Sequence, residues 1–391
     1  MSSWHYDFGR QRAHRERVPA LEAIETLDEI AKRDGVDREA HAETAEAVYR
    51  SYPARFQDEI EGMVDALPAP RSSILRYMFR ASDVVEEAID DGDDDEGSAD
   101  DGGAGEGCTT AIVAPEASAT GAPMLLKVRD VKAKGLQPQA IVERPATGDH
   151  HGFVSLSTSM TPAVFQGVND RGLAAANSFV DLADEDLDES EYVRNGVLIR
   201  RILEECDSVA EAEDLAESVP VERSKGLNLF VVDGEKAATI ELDPDAAKAR
   251  PIAGDVVVRS NHFPAREAAI YPSSRKRFDR ALEIVEELDG EIAAADLLAF
   301  ATDHRNGPGP DSICRHPSAA ADSIAAQAES TTVSTCLFAG GETFFRGTFG
   351  NACEHPFLEI SLGADRPEAL ASGARWRATV GNDCVPTPTE R

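Results

Sequence analysis

Residues 90–107 run Asp-Asp-Gly-Asp-Asp-Asp-Glu-Gly-Ser and, a few positions on, Gly-Gly-Ala-Gly-Glu-Gly, with almost nothing apolar to bury. A stretch of that composition cannot offset the entropy of being ordered, so it is expected to be an exposed, flexible linker. It separates two patterns. Before it, Leu21, Ile24, Leu27 and Ala31 recur near the helical period behind Pro19, and Phe56, Ile60 and Met63 repeat that spacing, so helices are expected up to about Glu87. After it, β-branched and apolar runs predict strands over 109–114, 124–128, 139–142, 153–157 and 173–179, with shorter ones at 332–338, 343–348 and 357–360. Asp233-Gly234 between 227–232 and 237–242 predicts a hairpin closed by a two-residue type I′ turn. Intervening helical faces carry Val193, Val197, Ile202 and Cys206, then Phe278, Ala281, Val285 and Leu288. The order predicts an α+β fold with helical layers over antiparallel sheet. It divides the chain into a helical part (1–89), a linker (90–107) and a sheet-bearing part (108–391).

Charge and composition narrow the function. The 39 Lys and Arg against 72 Asp and Glu leave a net charge of −33, a field that repels nucleic acid and anionic lipid. Cations that are mostly Arg, with acidic residues spread throughout, suit a protein adapted to high salt, where the Debye length falls to about 3 Å at 1 M. No apolar run approaches the roughly 20 residues of a membrane span, and the first residues lack the apolar core of a secretory signal, so a cytoplasmic location is expected.

The six cysteines form no Cys-x-x-Cys pair, and no histidines accompany them at customary zinc-ligand spacing, so neither a disulfide framework nor a metal site is expected. The P-loop, His-Glu-x-x-His and Gly-x-Ser-x-Gly patterns are missing too. The acidic run at 90–96 lacks calcium-loop spacing, and the glycines at 102–107 follow acidic coil and precede a strand, unlike a dinucleotide loop. No cofactor is expected. Thiol chemistry is what remains.

Cys108 stands where the linker ends and the first strand begins, in Gly107-Cys108-Thr109-Thr110. Gly107 has no side chain to screen its carbonyl from a neighbouring nucleophile. Folding strands 109–114 and 124–128 about Ala119 puts Asp130 opposite Cys108, where a carboxylate can hold an ammonium or orient a base. A cysteine released as a chain end carries its own base, an α-amine of pKa about 7.7 to 8.0.

Gly-Cys-Thr-Thr followed by a strand ending in Arg129-Asp130 resembles the acyl-CoA:6-aminopenicillanic-acid acyltransferase family of N-terminal-nucleophile (Ntn) hydrolases, relatives of choloylglycine hydrolases and penicillin V acylases. The resemblance continues through Gly167–Leu173, Ser260-Asn261-His262-Phe263, Arg275–Phe278, Asp303-His304 and Ser312–His316. It implies a four-layer αββα sandwich with antiparallel sheets, made as a precursor that cuts itself between Gly107 and Cys108 into two chains that stay associated.

The resemblance also implies roles. Cys108 matches the nucleophile, Asp130 the carboxylate that positions its amine, Asn261 an oxyanion-hole donor and Asn177 a second donor. Arg277 matches an Arg near a helix start with a substrate-facing role, and Lys127 and Arg129 are expected to face substrate. One departure stands out: where bile-salt and penicillin V relatives carry Arg-Asn-x-Asp, this chain has Lys127-Val128-Arg129-Asp130, replacing a planar fork by a point charge. His262, beside Asn261, is expected to be structural, because the Ntn route needs no imidazole; Cys314 and His316 are likewise expected to be structural. The implied activity is hydrolysis of a linear amide, or transfer from an acyl-CoA, through an acyl-thioester. The rival is a non-catalytic binding or scaffold protein that keeps the fold.

Overall fold

The computed structural model describes residues 2–90, 107–180, 194–220, 226–246, 249–266, 272–288, 290–317 and 329–363. All but the ends of the expected linker, and Cys384, lie outside the described residues.

Four helices lead: α1 (Trp4–Arg33), α2 (Arg38–Ser51), α3 (Ala54–Ala66) and α4 (Arg71–Asp90). Ser3 caps α1 by accepting from the Tyr6 amide, and Asp37 caps α2 through the Glu39 and Ala40 amides. Pro19 lies inside α1 and not at its start, because Phe8, Arg12, Ala13 and Glu16 already bury the same side of the helix ahead of it. Helices α1 and α3 approach so closely that a Cβ on Gly9 would stand 2.0 Å from the Glu59 carbonyl oxygen, and one on Gly62 would stand 2.0 Å from that of Tyr6. Only glycine allows this contact.

The remainder is two antiparallel sheets. β1 (Cys108–Val113), β2 (Met124–Val131), β10 (Val256–Arg259), β11 (Thr331–Ala339), β12 (Phe344–Phe349) and β13 (Leu358–Ser361) form one, ordered β10-β1-β2-β11-β12-β13. The other runs in chain order: β3 (Gln139–Arg144), β4 (Phe153–Thr158), β5 (Gln166–Asn169), β6 (Ala174–Phe179), β7 (Leu227–Val232), β8 (Ala237–Leu242) and β9 (Arg250–Ile252). Side-chain alternation gives each sheet two faces. Ile112, Leu125 and Phe338 meet Leu156, Val168 and Phe230 between the sheets. The outer face of the second sheet is covered by α5 (Asn195–Glu205) and α6 (Val209–Glu217), and that of the first by α7 (Pro272–Glu287) and α8 (Ala294–Phe300). The layers are α, β, β, α. No described helix is long and apolar enough to cross a membrane.

Two local expectations change. Strands β7 and β8 pair as anticipated, but Val232 faces Ala237, so the loop is residues 233–236 and Gly234 keeps a negative φ. The Asp233 carboxylate accepts from the Glu235 and Lys236 amides and so builds a wider turn than type I′. In the first hairpin Cys108 pairs with Arg129 and not with Asp130, because Val113 meets Met124 across a connector that contains a 3₁₀ turn at Pro115–Ala117. A one-residue shift changes faces. Cys108, Lys127 and Arg129 lie on the face turned toward the second sheet, and Asp130 lies on the face turned toward α7.

Candidate active site

The register of β10 on β1 pairs Thr110 with Arg259, so the residues beyond each strand end bring Asn261 beside Cys108. The Cys108 backbone nitrogen donates to Asn261 Oδ1 at 2.8 Å, while Asn261 Nδ2 donates to the Phe179 carbonyl at the end of β6 at 2.8 Å. The turn carrying Asn261 is fixed to α7 by Ser274, whose hydroxyl accepts from the Asn261 amide at 2.9 Å. From α7, Arg277 donates through Nη1 to the Cys108 carbonyl at 2.5 Å and to Thr109 Oγ1 at 3.0 Å, and through Nη2 to Asn261 Oδ1 at 2.8 Å. Arg277 therefore grips the backbone of the cysteine. Burial first, then the neighbouring Arg315, pull its pKa down to about 9.

Across the strand end, the Asp130 amide donates to the Gly107 carbonyl at 2.8 Å. Asp130 is fully buried; its Oδ1 accepts from Thr332 Oγ1 at 2.7 Å. Its Oδ2 lies 3.4 Å from Arg315 Nε, close enough for an ion pair but without hydrogen-bond geometry, and so accepts no hydrogen bond among the described residues. A Cβ on Gly107 would stand 2.4 Å from Arg315 Nη1 and 2.9 Å from that Oδ2. The glycine is required by the closeness of these two groups.

Lys127 is buried, and its ammonium bonds the Asn177 carbonyl across the gap between the sheets. Burial lowers its pKa, and the hydrogen-bonded Cys108 sulfur only partly opposes this. The Asn177 side-chain oxygen is buried and unpaired among the described residues. Arg129, paired with Cys108 in the ladder, spends its guanidinium on Gln139 Oε1 at 2.8 Å and Thr158 Oγ1 at 3.0 Å and stacks over Phe165. His262 holds Ser260 and Ser274 through Nδ1, at 3.1 and 2.8 Å. Burial, followed by Arg275, Arg277 and Arg259, lowers its pKa to about 4, so the ring is neutral near pH 7.

Gly107, Cys108, Lys127, Asp130, Asn261 and Arg277, remote in sequence, thus meet at one strand end. Asn177, expected as a second donor, reaches it only through its backbone carbonyl, because strand alternation puts its side chain with Ala175 on the face of β6 turned toward α5. Sequence reasoning missed Arg315 and Thr332. Both touch Asp130, and Thr332 Oγ1 also accepts from the Arg315 amide at 2.9 Å. The only signal was Arg315's place inside the Ser312–His316 segment.

Two facing antiparallel sheets clad by helices, with this cluster at the end of a central strand, define the Ntn-hydrolase fold. The family model described as acyl-coenzyme A:6-aminopenicillanic acid acyl-transferase matches residues 119–335, more than half of the 391, and the chain belongs to that family. Solved structures with a similar arrangement include a Caenorhabditis elegans N-acylethanolamine-hydrolyzing acid amidase ortholog, at 13% identity and TM-score 0.41 over 60% of this chain and 94% of that one. A variant of conjugated bile acid hydrolase from Clostridium perfringens is 12% identical at TM-score 0.42, covering 66% and 93%. Penicillin V acylase from Agrobacterium tumefaciens is 15% identical at TM-score 0.37, covering 68% and 89%. No curated protein matches the chain in sequence.

Proposed function

We propose that the chain is a self-processing cysteine amidohydrolase or acyltransferase, which cuts Gly107–Cys108 and then acts on a linear amide or acyl-CoA thioester. The observation that carries this reading is the grip on the cysteine's own backbone: Asn261 Oδ1 on its nitrogen and Arg277 on its carbonyl. A merely structural buried cysteine needs neither.

In processing, Cys108 Sγ attacks the Gly107 carbonyl carbon. The developing oxyanion receives the Asp130 amide hydrogen that already lies 2.8 Å away. The C–N bond breaks as the nitrogen takes the proton the thiol gives up, becoming the free α-amine, and water hydrolyses the Gly107 thioester to a carboxylate and a thiol with release of a proton. Departure of Gly107 opens the space beside Asp130 Oδ2, whose unpaired lone pairs suit the new ammonium. In turnover the α-amine takes the thiol proton, the thiolate attacks the substrate carbonyl, and the leaving amine or CoA thiolate collects that proton. Water or an acceptor amine then resolves the acyl-thioester. Asn261, which already holds the cysteine's own nitrogen, is the donor for the substrate oxyanion; the Asn177 side chain, on the face of β6 turned toward α5, is not part of this step. Lys127 places its ammonium group beside the sulfur. The two processed chains remain together, and the protein works in the cytoplasm.

The test is intact-mass analysis of protein purified in high salt. Wild type should give two fragments, the larger beginning at Cys108, and Cys108→Ala should remain one folded chain. An uncut wild type would favour the non-catalytic binding protein, and cleavage of Cys108→Ala at the same bond would point to an external protease.

A further inference from the structure

Four side chains outside this cluster converge in a pattern that the sequence spacing did not suggest. His304 and His316 bring their Nε2 atoms to 3.0 Å, and Cys314 and Cys353 bring their sulfurs to 3.7 Å. The Cys353 sulfur lies 3.7 Å from His304 Nε2 and 3.3 Å from His316 Nε2, the Cys314 sulfur lies 3.9 Å from His316 Nε2, and all four atoms fall within 4.8 Å of one another. Five of the six edges of the tetrahedron they outline are thus 3.0–3.9 Å. Bonds of about 2.3 Å to sulfur and 2.0–2.1 Å to nitrogen require donor separations of about 3.3 to 3.8 Å. We infer that His304, Cys314, His316 and Cys353 form a structural Cys₂His₂ zinc site.

The surroundings fit a metal better than a chance cluster. His316 turns its other nitrogen toward Glu354, with Nδ1 3.5 Å from Oε1, the carboxylate–histidine pairing that orients metal ligands. Asn351 Nδ2 donates to the Cys314 sulfur at 3.6 Å, the kind of contact that stabilises a bound thiolate. Two thiolates balance Zn²⁺, and four protein donors leave no open position, as a structural site requires. Three ligands come from the loop between α8 and β11 and the fourth from the turn after β12, which is why no local motif appears. Closing this junction fixes Arg315, which stands between two of the ligands; Asn351 also donates to the Arg315 carbonyl at 2.6 Å. The competing chemistry is a Cys314–Cys353 disulfide, for which the sulfurs would have to close to about 2.05 Å.

The experiment uses the full chain, purified in high salt without a histidine tag. Elemental analysis should find about one zinc per chain, and X-ray absorption at the zinc edge should find two sulfur and two nitrogen donors at about 2.3 and 2.0–2.1 Å. Replacing zinc by cobalt should give intense visible bands of tetrahedral cobalt with thiolate charge transfer. Cys353→Ser, at an exposed position, and His304→Gln should each lose these bands, whereas Cys206→Ser should keep them. A different donor set in the wild type overturns the inference, as does a Cys314–Cys353 disulfide in freshly purified protein or a zinc-replete chain that retains no metal. The absorption measurement needs no variant, so failure of a variant to fold leaves the test intact. None of these measurements depends on whether Cys108 is catalytic.

Discussion

The Cys108 nitrogen donates to Asn261 Oδ1 at 2.8 Å, and the same oxygen receives Arg277 Nη2 at 2.8 Å. Two donors on one amide oxygen fix the orientation of the Gly107–Cys108 peptide, because swapping the Asn261 amide would set an N–H against both. Replacing Asn261 by Ala frees the Cys108 nitrogen and removes a partner from a buried guanidinium. Self-cleavage should slow by about 10²-fold or more, on the scale of losing one oriented donor at a reacting carbonyl. A time course of intact mass after refolding, with circular dichroism as a check on folding, reads this directly. Cleavage at the wild-type rate in a folded variant would remove Asn261 from the mechanism.

Gly107→Ala tests the other side of the bond. The added methyl would lie 2.4 Å from Arg315 Nη1 and 2.9 Å from Asp130 Oδ2. Arg315 is buried and Asp130 is held by Thr332, so neither can retreat without losing a partner. The Gly107 carbonyl should then leave the Asp130 amide, and the proposed processing should fall at least about tenfold, by loss of alignment. A gel-resolved cleavage assay suffices, and an unchanged rate would mean that the Gly107 environment loosens before attack.

The helices of 1–89 and most strands are legible because burial imposes periodicity on local sequence. Cys108 was legible because a composition break adjoins it. The register was not: whether Asp130 or Arg129 faces Cys108 depends on how residues 114–123 turn, and a 3₁₀ turn there moves the pairing by one position. Arg315 was hidden for a different reason. Its partner Asp130 is far away in the chain, and nothing local distinguishes a buried arginine from a solvated one. The same holds for His304 and Cys353, brought together only by the junction of two loops.

His262 makes stability depend on pH in a defined direction. Its pKa is about 4 when folded against 6.5 unfolded, so between these values the unfolded chain binds a proton that the native chain does not. Stability is therefore full above about pH 6.5 and declines as the pH falls toward 4, by up to about 3 kcal/mol from this ring. Urea unfolding of the uncut Cys108→Ala chain at pH 7 and pH 5 should show the decline. Adding His262→Asn, which keeps a polar atom near Ser274 but does not titrate, should reduce it by about 2 kcal/mol. Equal losses with and without the histidine would show that other groups, such as the half-buried His5, set the slope.

If the proposed cleavage at Gly107–Cys108 takes place, buried contacts must keep residues 2–90 attached to the rest. Glu59 on α3 is fully buried, paired with Arg12 Nη1 at 3.0 Å and with Arg200 Nη2 on α5 at 2.5 Å. Arg200 passes the contact to Glu204 at 2.7 Å, which also meets Arg144 at 3.0 Å and Arg55 at 3.2 Å. Burial alone would push the Glu59 pKa up, but Arg200 and Arg12 outweigh it and hold the carboxyl ionised. A grip of this kind suits a chain of net charge −33, since high salt screens exposed pairs but reaches buried ones poorly. Glu59→Gln leaves buried guanidinium groups short of a counter-charge, which should cost about 3–5 kcal/mol. The unfolding midpoint in urea should fall accordingly, and fragments produced by the proposed cleavage should co-elute from wild type and separate at lower denaturant in the variant. If the variant unfolds with the wild-type midpoint at both high and low salt, the network is not what holds residues 2–90 to the rest, and the apolar contacts of Ala133, Leu136 and Met160 with the helices carry the attachment instead.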